Sequence, residues 1–254
     1  MRISVKIILL SIILLEFGCK SSTEPGKLPT PTPYISLNIG DIRQFVEDET
    51  NIIHQFVTTD TTRRIDGQKV FKIEYIMFIP DGTIWTATLY YFFRDNYYIG
   101  TKLDTIDEDS ENPIPRNSRN KFDEQKIAQI FPINGDSFYR SDEVTDSEKV
   151  LFNVSFIDSM TTTCGKFTNV AQFDMTDPTI HVKLQIFYAP EYGHIGTFVE
   201  SEGKKGKLFA TYIKTGEKEV GEYIPIYLGK KDAYKEKQIK HNSSFWGQKV
   251  FSNN

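Results

Sequence analysis

The histidines and cysteines are the residues from which a catalytic or metal site would be built, and their spacing supports neither. His54, His181, His194 and His241 stand singly, without a His-Glu-x-x-His pair, and the chain has only 2 cysteines. No Gly-x-Ser-x-Gly nucleophile turn is present. Cys164 would act as a nucleophile only if His181 approached it, and a lone cysteine in a β-rich chain more often packs as a small apolar side chain. The sequence therefore predicts no enzymatic activity and no cofactor.

Two charged segments could bind ions, but each lacks a required feature. Gly203–Lys207 (GKKGK) lacks the spacing and the Ser or Thr of a phosphate-binding loop, so it indicates a basic hairpin turn. An acidic cluster has no central glycine of the kind found in calcium loops, so an exposed loop is favoured over a calcium site. Its members are Asp104, Asp107, Glu108, Asp109 and Glu111. The formal net charge of −4 argues against a nucleic-acid partner.

The N-terminus has the pattern of an export signal. Arg2 and Lys6 accompany the apolar run Ile7–Leu15, which is too short for a membrane-spanning helix. Gly18-Cys19 follows, and the segment resembles a bacterial lipoprotein signal, in which a small residue precedes a cysteine that receives diacylglycerol on its sulfur. Glu16 departs from that pattern, because an aliphatic residue usually stands there. An ordinary secretory signal with an incidental cysteine, or an uncleaved anchor, is the alternative.

The lipoprotein signal implies that residues 1–18 are removed and that Cys19 carries the lipid. One diacylglyceryl group supplies two acyl chains, such as palmitate, which are enough for stable anchoring in a bacterial membrane of the cell envelope. The outer membrane or the cell surface is the expected site. Residues 19–33 are rich in Pro, Ser and Thr and should form a disordered tether. Because Cys164 then has no cysteine partner, the domain must be stabilised by a hydrophobic core rather than by a disulfide.

The stretch Ile180–Thr215 has the pattern of an antiparallel meander. Its apolar residues alternate with polar ones in three runs, which turns at Ala189-Pro190 and at Gly203–Gly206 separate. The predicted strands are His181–Tyr188, Gly193–Glu200 and Lys207–Lys214. Further strand patterns occur at Ile52–Asp60, Gln68–Pro80, Thr83–Arg94, Tyr97–Leu103, Val150–Asp158, Gly165–Asp174 and Glu219–Leu228. The hairpin signals Asp66-Gly67 and Asp81-Gly82 lie between such runs.

These patterns predict an all-β, mainly antiparallel fold, a strongly curved sheet, half-barrel or open barrel built from two meanders. Few short helices are expected, and Lys121–Gln129 is the one helical candidate in the first two-thirds of the chain. The β-rich globular domain should span residues 34–228, and a polar tail over 229–254 could be partly helical. Similar Gly-Asp turns near the start of each half suggest duplicated halves, 34–103 and 130–228. Chance similarity in a β-rich chain is the alternative.

Three motifs resemble a group of uncharacterised bacterial lipoproteins and secreted proteins. Tyr34–Phe45 is similar to an opening Y-x-P-L-x-x-G-x-x-W-x-Y, although Ser36 and Arg43 stand at the proline and tryptophan positions. Gly165–Asn169 is similar to Gly-x-Phe-x-(Asn/Asp), and Phe187–Gly196 to an aromatic-Tyr-Ala-Pro-x-x-Gly-x-(Val/Ile) motif. The resemblance covers most of residues 34–216. It implies a curved half-barrel of the kind used by periplasmic lipoprotein carriers, and it implies no established activity.

Aromatic residues make up 13% of the chain, more than a thin sheet needs. A bent sheet can pack them as its core, or some can line a cleft for an apolar or sugar-like ligand. The candidate lining residues are Tyr90, Phe92, Phe187 and Tyr188. The sequence therefore favours a membrane-anchored, non-enzymatic envelope lipoprotein with a binding or structural role. The alternative is a carrier or chaperone for a lipid or lipoprotein that uses the concave face of the sheet.

Overall fold

The computed structural model of the protein describes residues 31–59, 64–101, 124–141, 149–177, 182–201 and 203–226. From Thr32 onward these residues belong to one compact unit. The signal segment 1–18 with Cys19 after it, the acidic cluster and the tail 229–254 lie outside the described residues.

Every regular element in the described ranges is a strand, and no helix occurs among them. The strands are β1 (Ile42–Glu47), β2 (Ile53–Thr59), β3 (Arg64–Ile65), β4 (Gln68–Phe78), β5 (Ile84–Arg94), β6 (Tyr97–Thr101), β7 (Gln125–Gln129), β8 (Ser137–Tyr139), β9 (Leu151–Thr162), β10 (Gly165–Asp177), β11 (Val182–Ala189), β12 (Gly193–Ser201), β13 (Lys204–Thr215) and β14 (Lys218–Gly221). The prediction of an all-β antiparallel fold is confirmed.

Twelve of the strands form one antiparallel sheet that curls into a nearly closed barrel with a single seam. Their order is β7-β6-β5-β4-β2-β1-β13-β12-β11-β10-β9-β8, while β3 and β14 pair with β4 and β13 beside this path. The seam lies between β7 and β8. There the Lys126 N–H donates to the Arg140 carbonyl at 2.8 Å, so one backbone hydrogen bond joins the two ends of the sheet.

The sheet consists of two consecutive six-stranded meanders, β1-β2-β4-β5-β6-β7 and β8 to β13, joined where β1 pairs with β13. Each meander opens with a Gly-Asp turn whose glycine has a positive φ, +87° at Gly40 and +80° at Gly135. The Gly40 N–H donates to the Thr58 carbonyl at 2.8 Å, and the Gly135 N–H donates to the Val154 carbonyl at 2.9 Å. The return bonds, Thr58 N–H to Asp41 and Val154 N–H to Asp136, are both 2.9 Å long. The two meanders therefore begin with the same local structure.

Strand alternation decides which side chains fill the barrel. Along β11, Ile186 and Tyr188 belong to the main hydrophobic cluster, whereas Phe187 and Ala189 belong to a second cluster. Successive side chains of a strand point to opposite faces, so these two clusters lie on opposite faces of β11. Full burial of one large apolar side chain stabilises the fold by about 1.5–3 kcal/mol, and Phe173 in the main cluster is completely buried.

Two sequence predictions differ from the structure, and a strand at the centre of the sheet had no prediction. Gln125–Gln129, within the predicted helix Lys121–Gln129, is strand β7, because its backbone pairs with β6 from Tyr97 to Gly100 and this pairing outweighs a weak helical preference. The strand predicted at Glu219–Leu228 is shorter in the structure, where only Lys218–Gly221 of the described residues there pairs with β13. Strand β1 lies at the junction of the meanders and was not predicted at all.

Candidate functional site

A cavity of about 80 Å³ is the candidate site. Its wall includes side chains from β1, β2, β4 to β7, β11 and β12. These strands extend around most of the curled sheet, so the space that their side chains share is the barrel interior. Most of the wall is apolar and comes from Ile35, Leu37, Phe45, Phe56, Ile73, Ile127 and Ile186. Polar groups enter the cavity wall from Arg43, Tyr91, Tyr98, Tyr188, His194 and Thr197.

Arg43 contributes the positive charge of the cavity wall. It lies on β1, beside a bulge in the pairing of Gln44 and Phe45 with β13, and only 8% of the residue is exposed. Its Nε and Nη2 both donate to the Tyr192 carbonyl at 3.4 Å, which is long for a hydrogen bond. The nearest carboxylate oxygen, Oδ2 of Asp41, is 4.0 Å from Nη2. The guanidinium is therefore buried with weak compensation.

Asp41 is engaged mainly by other donors. Its carboxylate accepts hydrogen bonds from the Asn38 N–H at 2.9 Å, the Gly216 N–H at 2.8 Å and the Thr215 hydroxyl at 3.1 Å. These contacts tie the first Gly-Asp turn to the end of β13. Asp41 therefore has a structural task that does not depend on Arg43.

Gly193 allows the guanidinium to lie against the backbone. Its φ is +79°, and a Cβ atom added there would lie 2.9 Å from Nη2 and 3.3 Å from Nε of Arg43. The preceding turn starts with Ala189-Pro190, and the Tyr192 N–H donates to the Ala189 carbonyl at 3.2 Å. The same turn presents the Tyr192 carbonyl to Arg43. The turn predicted between β11 and β12 thus positions the charged group.

Three tyrosines line the cavity around this charge. The rings of Tyr91 and Tyr98 stack with their centroids 4.7 Å apart. Burial raises the pKa of Tyr98 and of Tyr188 far above the ordinary value, and the positive charge of Arg43 opposes the rise only in part. Burial likewise raises the pKa of Tyr91. All three phenols are therefore neutral at physiological pH and can donate a hydrogen bond to a ligand.

His194 is a neutral group of the cavity wall. The pKa of His194 is lowered to about 3, mainly by burial and in smaller part by the nearby Arg43 charge, while the hydrogen bond to the Gly196 carbonyl opposes the shift. Nε2 lies 3.0 Å from the Gly196 carbonyl oxygen and 2.7 Å from Oγ1 of Thr197. Because a carbonyl oxygen can only accept, Nε2 carries the proton. The ring also lies against Phe45, with centroids 4.6 Å apart.

The structure brings one of the four predicted cleft residues to the cavity. Tyr188 lines it, whereas Phe187 points to the opposite face of β11 and packs with Phe198, ring centroids 5.0 Å apart. Tyr90 and Phe92 belong to a third cluster, which contains Ile65, Val70 and Ile99. The polar lining of the cavity therefore consists of Tyr188 together with Arg43, Tyr91, Tyr98 and His194, in place of Tyr90, Phe92 and Phe187.

Among the described histidines and cysteines, His194 lines the cavity, whereas Cys164 and His54 do not. Cys164 has its Sγ 3.2 Å from Oγ1 of Thr162, and burial raises the pKa of the Cys164 thiol. His181 lies outside the described residues. His54 contacts the Tyr75 hydroxyl at 2.8 Å through Nδ1, and burial lowers the pKa of His54 to about 4.

The described residues contain neither a metal-binding cluster nor a membrane-spanning helix. No group of three or more His, Cys, Asp or Glu side chains there is arranged to hold a metal ion. None of the described segments is a helix long and apolar enough to cross a membrane.

Sequence reasoning missed most of the polar lining. From the sequence, Arg43 is only a departure from a tryptophan position in a motif, and His194 is only an isolated histidine. The spacing of Tyr91, Tyr98 and Tyr188 along the chain does not indicate a shared site, because the curvature of the sheet brings these residues to one cavity. The one available clue was a long charged side chain within the run Ile42–Glu47, where a strand would have to bury it.

Two solved structures resemble this fold at low sequence identity. A protein of Bacteroides fragilis NCTC 9343 that is described as exported, with a YmcC-like fold, aligns with a TM-score of 0.44 and 14% identity over 72% of this chain and 100% of that chain. A protein of Parabacteroides distasonis ATCC 8503 that is described as a lipoprotein aligns with a TM-score of 0.43 and 13% identity over 73% of this chain and 100% of that chain. Similarity at this level says nothing about function. No protein-family model and no curated protein matches the chain.

Proposed function

We propose that the protein is a lipid-anchored, non-enzymatic binding protein of the bacterial cell envelope, with the barrel cavity as its ligand site. The anchor is inferred from the export signal that ends in Gly18-Cys19. The tether over residues 19–33 would hold the barrel away from the membrane. A non-enzymatic role agrees with the separation of Cys164 and His54 from the cavity.

Arg43 is the observation that favours binding over a purely structural role. A core built only for stability packs apolar side chains to high density and avoids buried charge. Here the barrel instead keeps a space beside a guanidinium that is 8% exposed and has only long contacts. A ligand in that space would supply the partner that the protein leaves out.

The size of the cavity argues against an acyl chain as the ligand. Pockets for drug-sized ligands have volumes of about 300–1,000 Å³. The cavity of about 80 Å³ is several times smaller. A binding protein for a small molecule therefore fits the barrel better than a carrier for a lipid or lipoprotein.

The anchor is tested with Cys19→Ser. The protein should move from the membrane to the soluble fraction and lose metabolic labelling with palmitate, because the thiol is the lipid acceptor. Cys164→Ser is the matched control and should stay membrane-bound and labelled. A Cys19→Ser protein that remains fully in the membrane fraction would show that the anchor is not at this residue.

The cavity is tested by filling it. Ile127 lines the cavity and is half-buried, so Ile127→Phe should occupy the space. Ile157 on β9 is also half-buried but lies outside the lining, and Ile157→Phe is the control. Ligand-observed NMR with a panel of small molecules should show binding to the wild type and to Ile157→Phe but not to Ile127→Phe. Equal binding by both variants would rule out the cavity as the site.

A further inference from the structure

We propose that the ligand of this cavity is a small monocarboxylate with a short apolar chain, held by Arg43 and by the hydroxyls of Tyr98 and Tyr188. The inference rests on the proposed binding function and names the chemistry of its ligand. It follows from the charge, the donors and the size of the cavity.

The charge of the cavity calls for one anionic group. Arg43 has five N–H donors, and those with a protein acceptor reach a single carbonyl, that of Tyr192, at 3.4 Å. Asp41 lies 4.0 Å away and already accepts from Asn38, Thr215 and Gly216. A carboxylate matches the planar fork of a guanidinium and can accept two parallel hydrogen bonds from it.

The hydroxyls of Tyr98 and Tyr188 supply further hydrogen-bond donors to the cavity that Arg43 lines. Arg43, Tyr98 and Tyr188 line the same cavity, and the charge of Arg43 acts on both phenols. Neither hydroxyl donates a hydrogen bond to another residue that the structure describes. A carboxylate beside Arg43 would accept from these neutral donors through its remaining lone pairs.

The size and polarity of the remaining wall limit what is attached to the carboxylate. An apolar cavity of about 150 Å³ holds benzene, so about 80 Å³ should hold a ligand of only a few non-hydrogen atoms. Ile73, Ile127 and Ile186 would contact a short alkyl chain. A second charge on the ligand would be buried against this apolar wall without a partner, which disfavours phosphate and dicarboxylates.

Propionate is the probe that fits these limits, and propionamide is its neutral counterpart of nearly equal shape. Titrations of the soluble chain (residues 19–254 with Cys19→Ser) followed by NMR at constant ionic strength should give a Kd for propionate on the order of millimolar, as expected for so small a ligand. Propionamide and inorganic phosphate should bind at least about tenfold more weakly, because each lacks either the charge or the fit.

Substitutions separate the contributions of the three side chains. Arg43→Met should weaken propionate binding about 10- to 100-fold, because it removes the charged donors but keeps the bulk. Tyr98→Phe and Tyr188→Phe remove only a hydroxyl and should each weaken it about 3- to 10-fold. Tyr75→Phe removes a buried hydroxyl that lies outside the cavity and should leave the Kd within about twofold. The conservative tyrosine variants keep the test valid if Arg43→Met fails to fold.

The outcomes distinguish this inference from the proposed function beneath it. Equal binding of propionamide and propionate, with no effect of the tyrosine variants, would overturn the carboxylate site while a binding cavity remained. Phosphate that binds as tightly as propionate would also overturn the carboxylate site, because the cavity would then select its ligand by negative charge alone. If the wild type binds no small molecule of either kind, both the inference and the binding function fail.

Discussion

Gly193 and Gly203 offer a matched test of how the turn before β12 holds Arg43. Gly193 is the first residue of β12 and Gly203 lies in the turn after it, and their φ angles are nearly equal, +79° and +77°. An alanine in the left-handed region costs about 1–2 kcal/mol at either position. A Cβ at Gly203 meets nothing within 4 Å, whereas one at Gly193 would lie 2.9 Å from Nη2 of Arg43.

The side chain of Arg43 must then move and give up its contacts with the Tyr192 carbonyl. Long, charge-assisted bonds of this kind contribute roughly 1–2 kcal/mol. We therefore expect Gly203→Ala to lower the free energy of unfolding by about 1–2 kcal/mol, and Gly193→Ala to lower it by about 2–4 kcal/mol.

Urea denaturation of the soluble barrel, followed by tryptophan and tyrosine fluorescence, measures both values. In an Arg43→Ala background the excess cost at Gly193 should disappear, leaving the same loss as at Gly203. If Gly193→Ala costs no more than Gly203→Ala in the wild type, Arg43 does not lie against this turn. The geometry proposed for the carboxylate site would then be wrong.

Two further predictions concern pH and the tether. Burial lowers the pKa of His54 to about 4 and is the main cause that lowers the pKa of His194 to about 3, against 6.5 for a histidine in the unfolded chain. Between the folded and unfolded pKa values the unfolded state binds more protons than the folded state. The free energy of unfolding should therefore fall as the pH drops from about 7 to about 4. Each histidine contributes a slope of up to about 1.4 kcal/mol per pH unit, and His54→Gln and His194→Gln should flatten the curve measured by urea denaturation; an unchanged slope would contradict the burial of neutral rings. Deletion of residues 20–32 should leave the melting temperature of the soluble protein unchanged, because that segment has almost nothing to bury. The deletion stops before Pro33, whose carbonyl accepts a hydrogen bond from the Glu191 N–H at 3.0 Å. A loss of several degrees would show that the deleted segment packs on the barrel.

The strands with strict alternation could be predicted from the sequence. β4 and β5 lie close to their predicted bounds, since the hairpin signal Asp81-Gly82 separates two long alternating runs. The meander β11-β12-β13 also agrees with its prediction at most ends. In these segments the pattern of polar and apolar residues carries the same information as the burial of the side chains.

Strand β1 escaped prediction because its polar side chains are buried on both faces. Gln44 is completely buried, donates to Oε1 of Gln55 at 2.8 Å and accepts from the Ile224 N–H at 2.9 Å. Arg43 on the other side enters the cavity. A run in which neither face is apolar has no period of two in its hydrophobicity, so only the paired strands β2 and β13 reveal it as a strand.

The position of β1 also explains why the candidate site could not be found by spacing. Tyr98 and Tyr188 lie on different meanders, and they approach each other only because β1 and β13 join the meanders and the sheet then curls on itself. Arg43 stands at that junction, beside the bulge in the β1–β13 pairing. The same backbone pairing that joins the two meanders therefore places the charge in the cavity that both tyrosines line. A disruption of the β1–β13 pairing should accordingly weaken ligand binding and destabilise the junction of the two meanders together, which binding titrations and urea denaturation of the same variant would measure.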